Sequence, residues 1–167
     1  MQYDVPLIPQ ATGMGCWAAS IAMILSWQNE ASFDPGMIAA NPGGISYVPN
    51  LQSGLDPNDQ YILSRNGFAL EPPQCYTAGA VYDLLKSYGP LWVACLTPLP
   101  PRNTLEPHIR VVTGMDGGTL SVNDPWPVNR GARYRRPFTF FFGEMETLGD
   151  REMKERNPVY VAYLDAG

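Results

Sequence analysis

The feature that most constrains the fold of this chain is a segment, residues 16–28, that is apolar on nearly every face. A helix that is hydrophobic all round is stable only when other elements surround it. We therefore predict a central, buried helix over residues 16–28. Its first residue is Cys16, and the partial positive charge of a helix N-terminus favours the thiolate form of a cysteine. The pattern thus predicts a nucleophile at the start of the central helix.

Gln10 lies six residues ahead of Cys16, in an arm of residues 1–15 that we expect to be extended. The side-chain amide of Gln10 can stabilise the oxyanion that forms when a thiolate attacks a carbonyl carbon, and the backbone N–H of Cys16 can serve as a second donor. Met14 and Gly15 are expected to leave the approach to the thiol open. The spacing therefore predicts a nucleophile with an oxyanion hole beside it.

The only histidine of the chain, His108, is the candidate base. It opens a segment rich in β-branched residues, 108–115, which an Asp-Gly-Gly turn joins to a second strand segment, 119–124. Pairing across this hairpin brings Asp124 near His108, and a histidine base needs such a group to hold its orientation and tautomer. Asn123 is the competing candidate. Because adjacent strand residues face opposite sides, only one of the two should point at His108.

Taken singly, each of these residues has a structural explanation. A helical cysteine is more often an inert buried thiol, and an isolated histidine or glutamine is more often structural or exposed. The four residue types occur in the right order with a compatible hairpin, however, and this joint pattern favours catalysis. Trp126, together with Met14 and Gly15, is a candidate for the substrate side of the site. Trp17 is expected to pack in the core.

Composition excludes several classes of protein. The 167 residues carry 11 Lys and Arg against 16 Asp and Glu, and this net charge of −5 argues against a general nucleic-acid binder. A basic cluster in a predicted loop, 125–136, is expected to be a solvated surface or a patch for a partner. Its members are Arg130, Arg133, Arg135 and Arg136. No segment approaches about 18 consecutive apolar residues, so no membrane span is predicted.

The three cysteines lie at irregular spacing, which is typical neither of a disulfide framework nor of a zinc site. Cys95 lies in an apolar run, 91–96, and is expected to be a small buried hydrophobic residue. Cys75 follows a Pro-Pro-Gln sequence and is expected to be an inert thiol in a loop. A Cys75–Cys95 bridge is the less favoured alternative. The chemistry predicted for the site requires no metal or organic cofactor.

The order of the predicted elements is typical of an α+β fold. The predicted helices cover 16–28, 35–41, 57–66 and 78–88. Thr77 is expected to cap the last helix, and Gly89 to end it. The predicted strands cover 91–96, 108–115, 119–124, 137–142 and 158–164. We expect a single domain, 1–167, with a helical half of about 1–89 and a sheet half of about 90–167.

With these residues taken together, the sequence resembles the papain-like cysteine peptidases. Gln10 matches the oxyanion glutamine of that superfamily. The segments 108–114 and 122–125 are similar to the His and Asp-Pro hairpin of the bacterial double-glycine leader peptidases. They are also similar to the papain-like avirulence proteases that plant-pathogenic bacteria inject into host cells. Those families use Asp where papain uses Asn, which favours Asp124 over Asn123.

The resemblance implies a papain-like α+β fold in which the nucleophile helix packs on an antiparallel sheet. It also implies hydrolysis of peptide bonds in a protein substrate by a triad of Cys16, His108 and Asp124. Gln10 and Cys16 would form the oxyanion hole. The same triad also serves deamidases, transglutaminases and acyltransferases, and a degenerate binding module without activity is the third alternative.

The resemblance further implies a compact bacterial effector or toxin that is secreted or delivered into the cytoplasm of a target cell. Residues 1–15 leave no room for a folded inhibitory pro-segment. We therefore expect a separate immunity or inhibitor protein to restrain the enzyme in the cell that produces it.

Overall fold

The computed structural model describes residues 1–40, 61–101, 104–152 and 160–165. Within these residues the chain forms five helices and six strands. The helices are α1 (Cys16–Asn29), α2 (Pro35–Ala40), α3 (Tyr61–Arg65), α4 (Ala78–Tyr88) and α5 (Phe138–Glu152). The strands are β1 (Phe68–Leu70), β2 (Leu91–Leu99), β3 (Thr104–Asp116), β4 (Thr119–Asp124), β5 (Ala132–Pro137) and β6 (Val161–Leu164). These strands form one antiparallel sheet in the order β1-β6-β2-β3-β4-β5.

α1 is the central helix of the α+β fold. Every residue from Cys16 to Ser26 is buried, which confirms the buried helix predicted over residues 16–28. Ile21 and Ile24 are fully buried, and enclosing an aliphatic side chain of this size stabilises a fold by about 1.5–3 kcal/mol. The apolar side chains that surround the helix therefore fix the position of the thiol at its first residue.

α1 packs against the two long central strands of the sheet. The indole Nε1 of Trp92 in β2 donates to the carbonyl oxygen of Trp17 at 3.5 Å. The hydroxyl of Ser20 donates to the carbonyl oxygen of Ile109 in β3, also at 3.5 Å. Trp17 is fully buried, so its predicted place in the core is confirmed. These contacts set the N-terminal end of α1 beside the strand that carries the histidine.

α4 has the start and stop signals that the sequence predicts. The hydroxyl of Thr77 accepts a hydrogen bond from the backbone N–H of Ala80 at 3.1 Å, as an N-cap does. The helix ends at Gly89, which has a φ of 85°, and its N–H donates to the carbonyl oxygen of Leu85. A Cβ atom at Gly89 would lie only 2.5 Å from the ring of Trp27. Both the backbone conformation and the space at this position therefore require glycine.

Replacement of Gly89 by alanine is expected to destabilise the protein by about 1–3 kcal/mol, because alanine is strained at this φ and its methyl group overlaps Trp27. Gly79 in the same helix is the matched control. A Cβ atom there meets only the Thr77 hydroxyl, at 3.9 Å, so Gly79→Ala is expected to stabilise the helix by about 0.5–1 kcal/mol. Urea unfolding of both variants measures the difference, and equal midpoints would contradict it.

The other two predicted helices of the first half are also present. α2 covers nearly all of the predicted helix 35–41. α3 lies within the predicted helix 57–66, of which residues 57–60 lie outside the described part of the chain. Among the helices that the structure describes, none has both the length and the apolar character needed to cross a bilayer.

The strand predicted over 137–142 is wrong, because helix α5 begins at Phe138. Phenylalanine has a high strand propensity, which favours a strand in this segment. In the structure the buried side chains recur every three or four residues, as in a helix that packs by one face. They are Phe141, Phe142, Met145 and Leu148. Phe140, directly before them in sequence, is 66% exposed, so tertiary packing overrides local propensity here.

The loop predicted over 125–136 is also partly wrong, because its last five residues belong to edge strand β5. β5 pairs with β4 along its whole length, from Asp124 opposite Ala132 to Thr119 opposite Pro137. Exposed and half-buried residues alternate along the strand, which is the pattern of a strand with one solvated face. The basic residues of this segment hid the alternation. They therefore lie on and beside an ordered strand rather than in a loop.

The hairpin between β3 and β4 is present as predicted. Gly117 and Gly118 form its turn with φ values of 53° and 76°. The register places Val111 opposite Asn123, with an irregularity between Val112 and Gly114. Pairing across the hairpin therefore carries the end of β4 toward the histidine of β3.

The remaining strands differ from the predictions in length. β2 and β3 are longer than the predicted strands 91–96 and 108–115. The two strands pair with each other as far as Leu99 opposite Thr104. β6 lies within the predicted strand 158–164, of which residues 158–159 lie outside the described part of the chain. β1 falls in the predicted helical half and α5 in the predicted sheet half, so helices and strands are not fully separated along the sequence.

Candidate active site

Cys16 lies at the first position of α1 and is 9% exposed. The residue before it, Gly15, occupies the N-cap position and supplies no side-chain cap. The partial positive charge at a helix N-terminus is available to an anion there, and a thiolate is such an anion. Met14, the next residue back, is 49% exposed. Gly15 is buried, and the expectation that these two residues leave the approach to the thiol open stays a prediction.

His108 and Asp124 are in direct contact, with 2.7 Å between Nε2 of the imidazole and Oδ1 of the carboxylate. His108 is 2% exposed, and Asp124 is also buried. The thiol of Cys16 is also close enough to the imidazole to act on its pKa, which it raises. Because Nε2 faces Asp124, Nδ1 is the ring nitrogen left for the thiol. The structure therefore brings the three side chains together in the order Cys16, His108, Asp124.

Electrostatics in this cluster favour a charged imidazole. Burial alone would lower the pKa of His108, but hydrogen bonds to Asp124 and Cys16 outweigh it and raise the pKa to about 9. Burial likewise acts to raise the pKa of Asp124, but the hydrogen bond and charge of His108 prevail and lower it. At neutral pH the pair is therefore an imidazolium and a carboxylate.

Gln10 is buried, and its backbone is held by the loop that follows β4. Its N–H donates to the carbonyl oxygen of Pro125 at 3.0 Å, and its carbonyl oxygen accepts from the N–H of Asn129 at 2.8 Å. The side-chain Nε2 donates to the carbonyl oxygen of Thr12 at 2.7 Å. A primary amide has two N–H donors, so one remains after this bond. Gln10 is thus anchored to the loop that begins directly after Asp124.

Asn123 and Asp124, the two candidates for the group that orients His108, have different hydrogen-bond partners. The side-chain Nδ2 of Asn123 donates to the carbonyl oxygen of Val5 at 3.0 Å, so this residue holds the N-terminal arm. Asp124 contacts His108 instead. The backbone N–H of Trp126 donates to the Oδ1 atom of Asp124 that also contacts His108, at 2.8 Å. The side chain of Trp126 is half-buried.

Three side chains near the site were missed by the sequence analysis. Arg110 in β3, Tyr134 in β5 and Glu144 in α5 form a hydrogen-bonded series that ends on the second carboxylate oxygen of Asp124. One signal in the sequence could have indicated Arg110. Arg110 interrupts an apolar strand and is 1% exposed, and arginine is rarely buried without partners. Its partners are 24 and 34 residues away in sequence, which no local pattern indicates.

The other two cysteines differ in their exposure to solvent. Cys75 is exposed and Cys95 is buried, and both are free thiols, so the alternative of a Cys75–Cys95 bridge is excluded. Burial raises the pKa of the Cys95 thiol, although the nearby Arg110 acts in the opposite direction.

Most arginines of the basic cluster have a hydrogen-bond or ion-pair partner. Arg133 donates to the Val5 carbonyl, Arg135 pairs with Asp116, and Arg136 pairs with Glu144.

Comparison with known proteins shows the family to which this chain belongs. Residues 1–142 match the profile of the family described as papain-like cysteine protease AvrRpt2. The chain belongs to this family. The protease is therefore a cysteine hydrolase of papain-like fold, as the resemblance implied. No individual curated protein matches the sequence at a significant level.

Solved structures share the fold of the protease over most of its length. A C39-like peptidase from Bacillus anthracis has a TM-score of 0.66 and 16% identity, covering 98% of this chain and 96% of that one. The peptidase domain of Streptococcus ComA has a TM-score of 0.55 and 17% identity, covering 83% and 90%. A double glycine motif protease from an AMS/PCAT transporter has a TM-score of 0.52 and 18% identity, covering 96% and 90%.

Proposed function

We propose that the protease is an endopeptidase in which Cys16 is the nucleophile, His108 the general acid and base, and Asp124 the group that orients His108. The observation that carries the proposal is the buried imidazole of His108, which is hydrogen-bonded to Asp124 at 2.7 Å and has the Cys16 thiol near enough to raise its pKa. A nucleophile, a base and an orienting carboxylate in contact satisfy the geometric requirements of covalent catalysis.

The first half of the reaction forms an acyl-enzyme. The Cys16 thiolate attacks the carbonyl carbon of the peptide bond, and the carbonyl oxygen becomes an oxyanion. The side-chain amide of Gln10 and the backbone N–H of Cys16 donate hydrogen bonds to that oxyanion. The C–N bond then breaks, and the His108 imidazolium gives its proton to the leaving amine. The product is a thioester on Cys16 and a free amino terminus.

The second half releases the acid. His108, now neutral, takes a proton from a water molecule as that water attacks the thioester carbon. The C–S bond breaks, the new carboxylic acid leaves, and the thiolate–imidazolium pair is restored. Throughout the cycle the Asp124 carboxylate accepts from Nε2, so the other ring nitrogen stays directed at the reacting atoms.

The oxyanion role of Gln10 is supported by its anchoring. Its backbone is bonded on both sides to the loop after β4, and its side chain is buried with one amide N–H still to donate. Trp126 on the same loop is half-buried. We assign it, with Met14 and Gly15, to the substrate side of the site.

We propose further that the protease is a secreted bacterial effector or toxin that acts on a protein inside the cytoplasm of a target cell. Membership of the AvrRpt2 family supports an injected effector. The double glycine motif protease was solved in complex with a leader peptide, which supports a polypeptide as the substrate class. An immunity protein in the producing cell is the corresponding partner.

Comparison of protein N termini in recipient cells that express the active chain or its Cys16→Ala form tests the activity. New N termini that appear only with the active chain are expected. Substrates that gain the small mass of an amide converted to an acid, without cleavage, would instead identify a deamidase.

The effector proposal is tested by expressing the active chain in the producing host. Expression that harms the host unless an inhibitor binds the chain is expected. Harmless expression with no inhibitor bound would contradict the proposal.

A further inference from the structure

A series of polar side chains, one buried and two half-buried, continues from Asp124. The hydroxyl of Tyr134 in β5 lies 3.1 Å from Oδ2 of Asp124. Nη1 of Arg110 in β3 lies 3.0 Å from the same hydroxyl. Nη2 of Arg110 forms an ion pair with Glu144 in α5. The mechanism proposed above uses none of these three residues.

The direction of each hydrogen bond in this series follows from the chemistry of the groups. A guanidinium can only donate, so the oxygen of Tyr134 accepts from Arg110. An ionised carboxylate can only accept, so the hydroxyl proton of Tyr134 points at Asp124. Burial raises the pKa of the Tyr134 phenol, which keeps this proton in place through the neutral and mildly alkaline range. Arg110 thus orients the hydroxyl toward the carboxylate.

Tyr134 supplies the donor on the side of the carboxylate that faces away from the imidazole. Oδ1 of Asp124 accepts from His108 and from the backbone N–H of Trp126, whereas Oδ2 accepts from Tyr134. The terminal torsion of an aspartate is broad when nothing restrains it. Donors on both oxygens fix that torsion and keep Oδ1 directed at Nε2 of His108.

Arg110 is itself held rigidly. Its guanidinium lies over the ring of Phe141, with 4.4 Å between the central carbon and the ring centroid, and Glu144 balances its charge. Because the neutral hydroxyl of Tyr134 stands between them, Arg110 does not pair with Asp124 directly. The strongest charge acting on the pKa of the Asp124 carboxyl is that of His108, and the charge of Arg110 adds to it in the same direction.

We propose that Tyr134 is a positioning residue for the Cys16–His108 pair, and that it acts through Asp124 while Arg110 holds its hydroxyl in place. The inference rests on the proposed function, since it takes Asp124 as the group that orients His108. The ionisable groups around His108 and Asp124 come from five elements. They are Cys16 of α1, Cys95 of β2, Arg110 of β3, Tyr134 of β5 and Glu144 of α5.

Tyr134→Phe removes the hydroxyl and keeps the ring. We expect kcat for peptide hydrolysis to fall about 10- to 100-fold, with KM changed by less than about twofold, because a hydrogen bond to a charged group is lost. Asp124 would then hold His108 less well, and the hydrogen bond to Asp124 raises the pKa of His108. The alkaline limb of the pH–kcat profile is therefore expected to move to lower pH, by about half a unit or more.

Tyr3→Phe is the matched control. Tyr3 is also half-buried, and its hydroxyl donates to the backbone carbonyl of Leu85 at 2.7 Å, away from the site. Tyr3→Phe loses one hydrogen bond of its hydroxyl, whereas Tyr134→Phe loses two, and thermal unfolding with near-ultraviolet circular dichroism measures the structural cost of each. The control is expected to keep the wild-type kcat and the wild-type alkaline limb.

A Tyr134→Phe enzyme with wild-type kcat and an unmoved alkaline limb would overturn the inference, and so would an equal shift in the Tyr3→Phe enzyme. The rate of alkylation of Cys16 by iodoacetamide across pH gives the same information without a substrate. If the wild-type Cys16 is not activated in that assay, the proposed function fails and this inference fails with it. If the wild type is activated and Tyr134→Phe matches it, only the inference about Tyr134 fails.

Discussion

Cys16→Ala is expected to lower peptide hydrolysis by about 10⁵-fold or more, to the background of the assay, because no acyl-enzyme can form without the thiolate. The fold should survive this change. Alanine is a good helix former, and the substitution removes one sulfur atom at the N-terminal end of α1, where the residue is 9% exposed. The free energy of unfolding is therefore expected to change by less than about 1.5 kcal/mol.

Steady-state hydrolysis and urea unfolding, measured on the same preparation, check both parts of this prediction. Cys75→Ala is the control, since Cys75 is a free and exposed thiol far in sequence from the site. It should retain the wild-type rate. A Cys16→Ala enzyme with more than about a hundredth of the wild-type rate would show that another residue is the nucleophile.

The second large effect is expected at Asp124. Asp124→Ala should reduce kcat by about 10³- to 10⁴-fold, because His108 then loses the group that fixes its orientation and tautomer. The pH dependence should change in a defined direction. The hydrogen bond to Asp124 contributes to raising the pKa of His108 to about 9, so its loss lowers that pKa. His108 must be protonated to expel the amine, and the alkaline limb of the profile therefore shifts to lower pH.

Asn123→Ala provides the matched control for Asp124, since the neighbouring residue faces the N-terminal arm and bonds to Val5. Arg133 also donates to the Val5 carbonyl, at 3.1 Å, so this oxygen keeps a partner and the loss of stability should be small. Activity and the alkaline limb should stay as in the wild type. Activity that depends on Asn123 and not on Asp124 would reverse the assignment of the orienting residue.

Local signals in the sequence were sufficient for much of the fold. The Thr77 cap and the glycine turn at 117–118 each determine structure through contacts within a few residues. Such signals do not depend on the rest of the chain. For the same reason they predicted the hairpin that carries His108 and Asp124 toward each other.

Elements that depend on distant contacts could not be predicted in this way. Five residues beginning at Phe138 have strand propensity, and only the surface on which α5 packs selects a helix. Strand β5 is defined by pairing with β4, and its arginines conceal the alternation. The link from Arg110 to Tyr134 and Asp124 joins three strands, so no spacing in the sequence indicates it.

The most direct test of a Cys16–His108 nucleophile is the competition between two cysteines of the same chain for iodoacetamide at about pH 6, where an ordinary thiol is almost wholly protonated. Cys75 is exposed and Cys16 is buried, so accessibility alone favours Cys75. Peptide mass mapping of the folded protein is expected to show Cys16 alkylated at least about 10-fold faster than Cys75, with the advantage lost in His108→Ala. Alkylation of Cys75 that spares Cys16 in folded protein with an intact His108 would contradict the account.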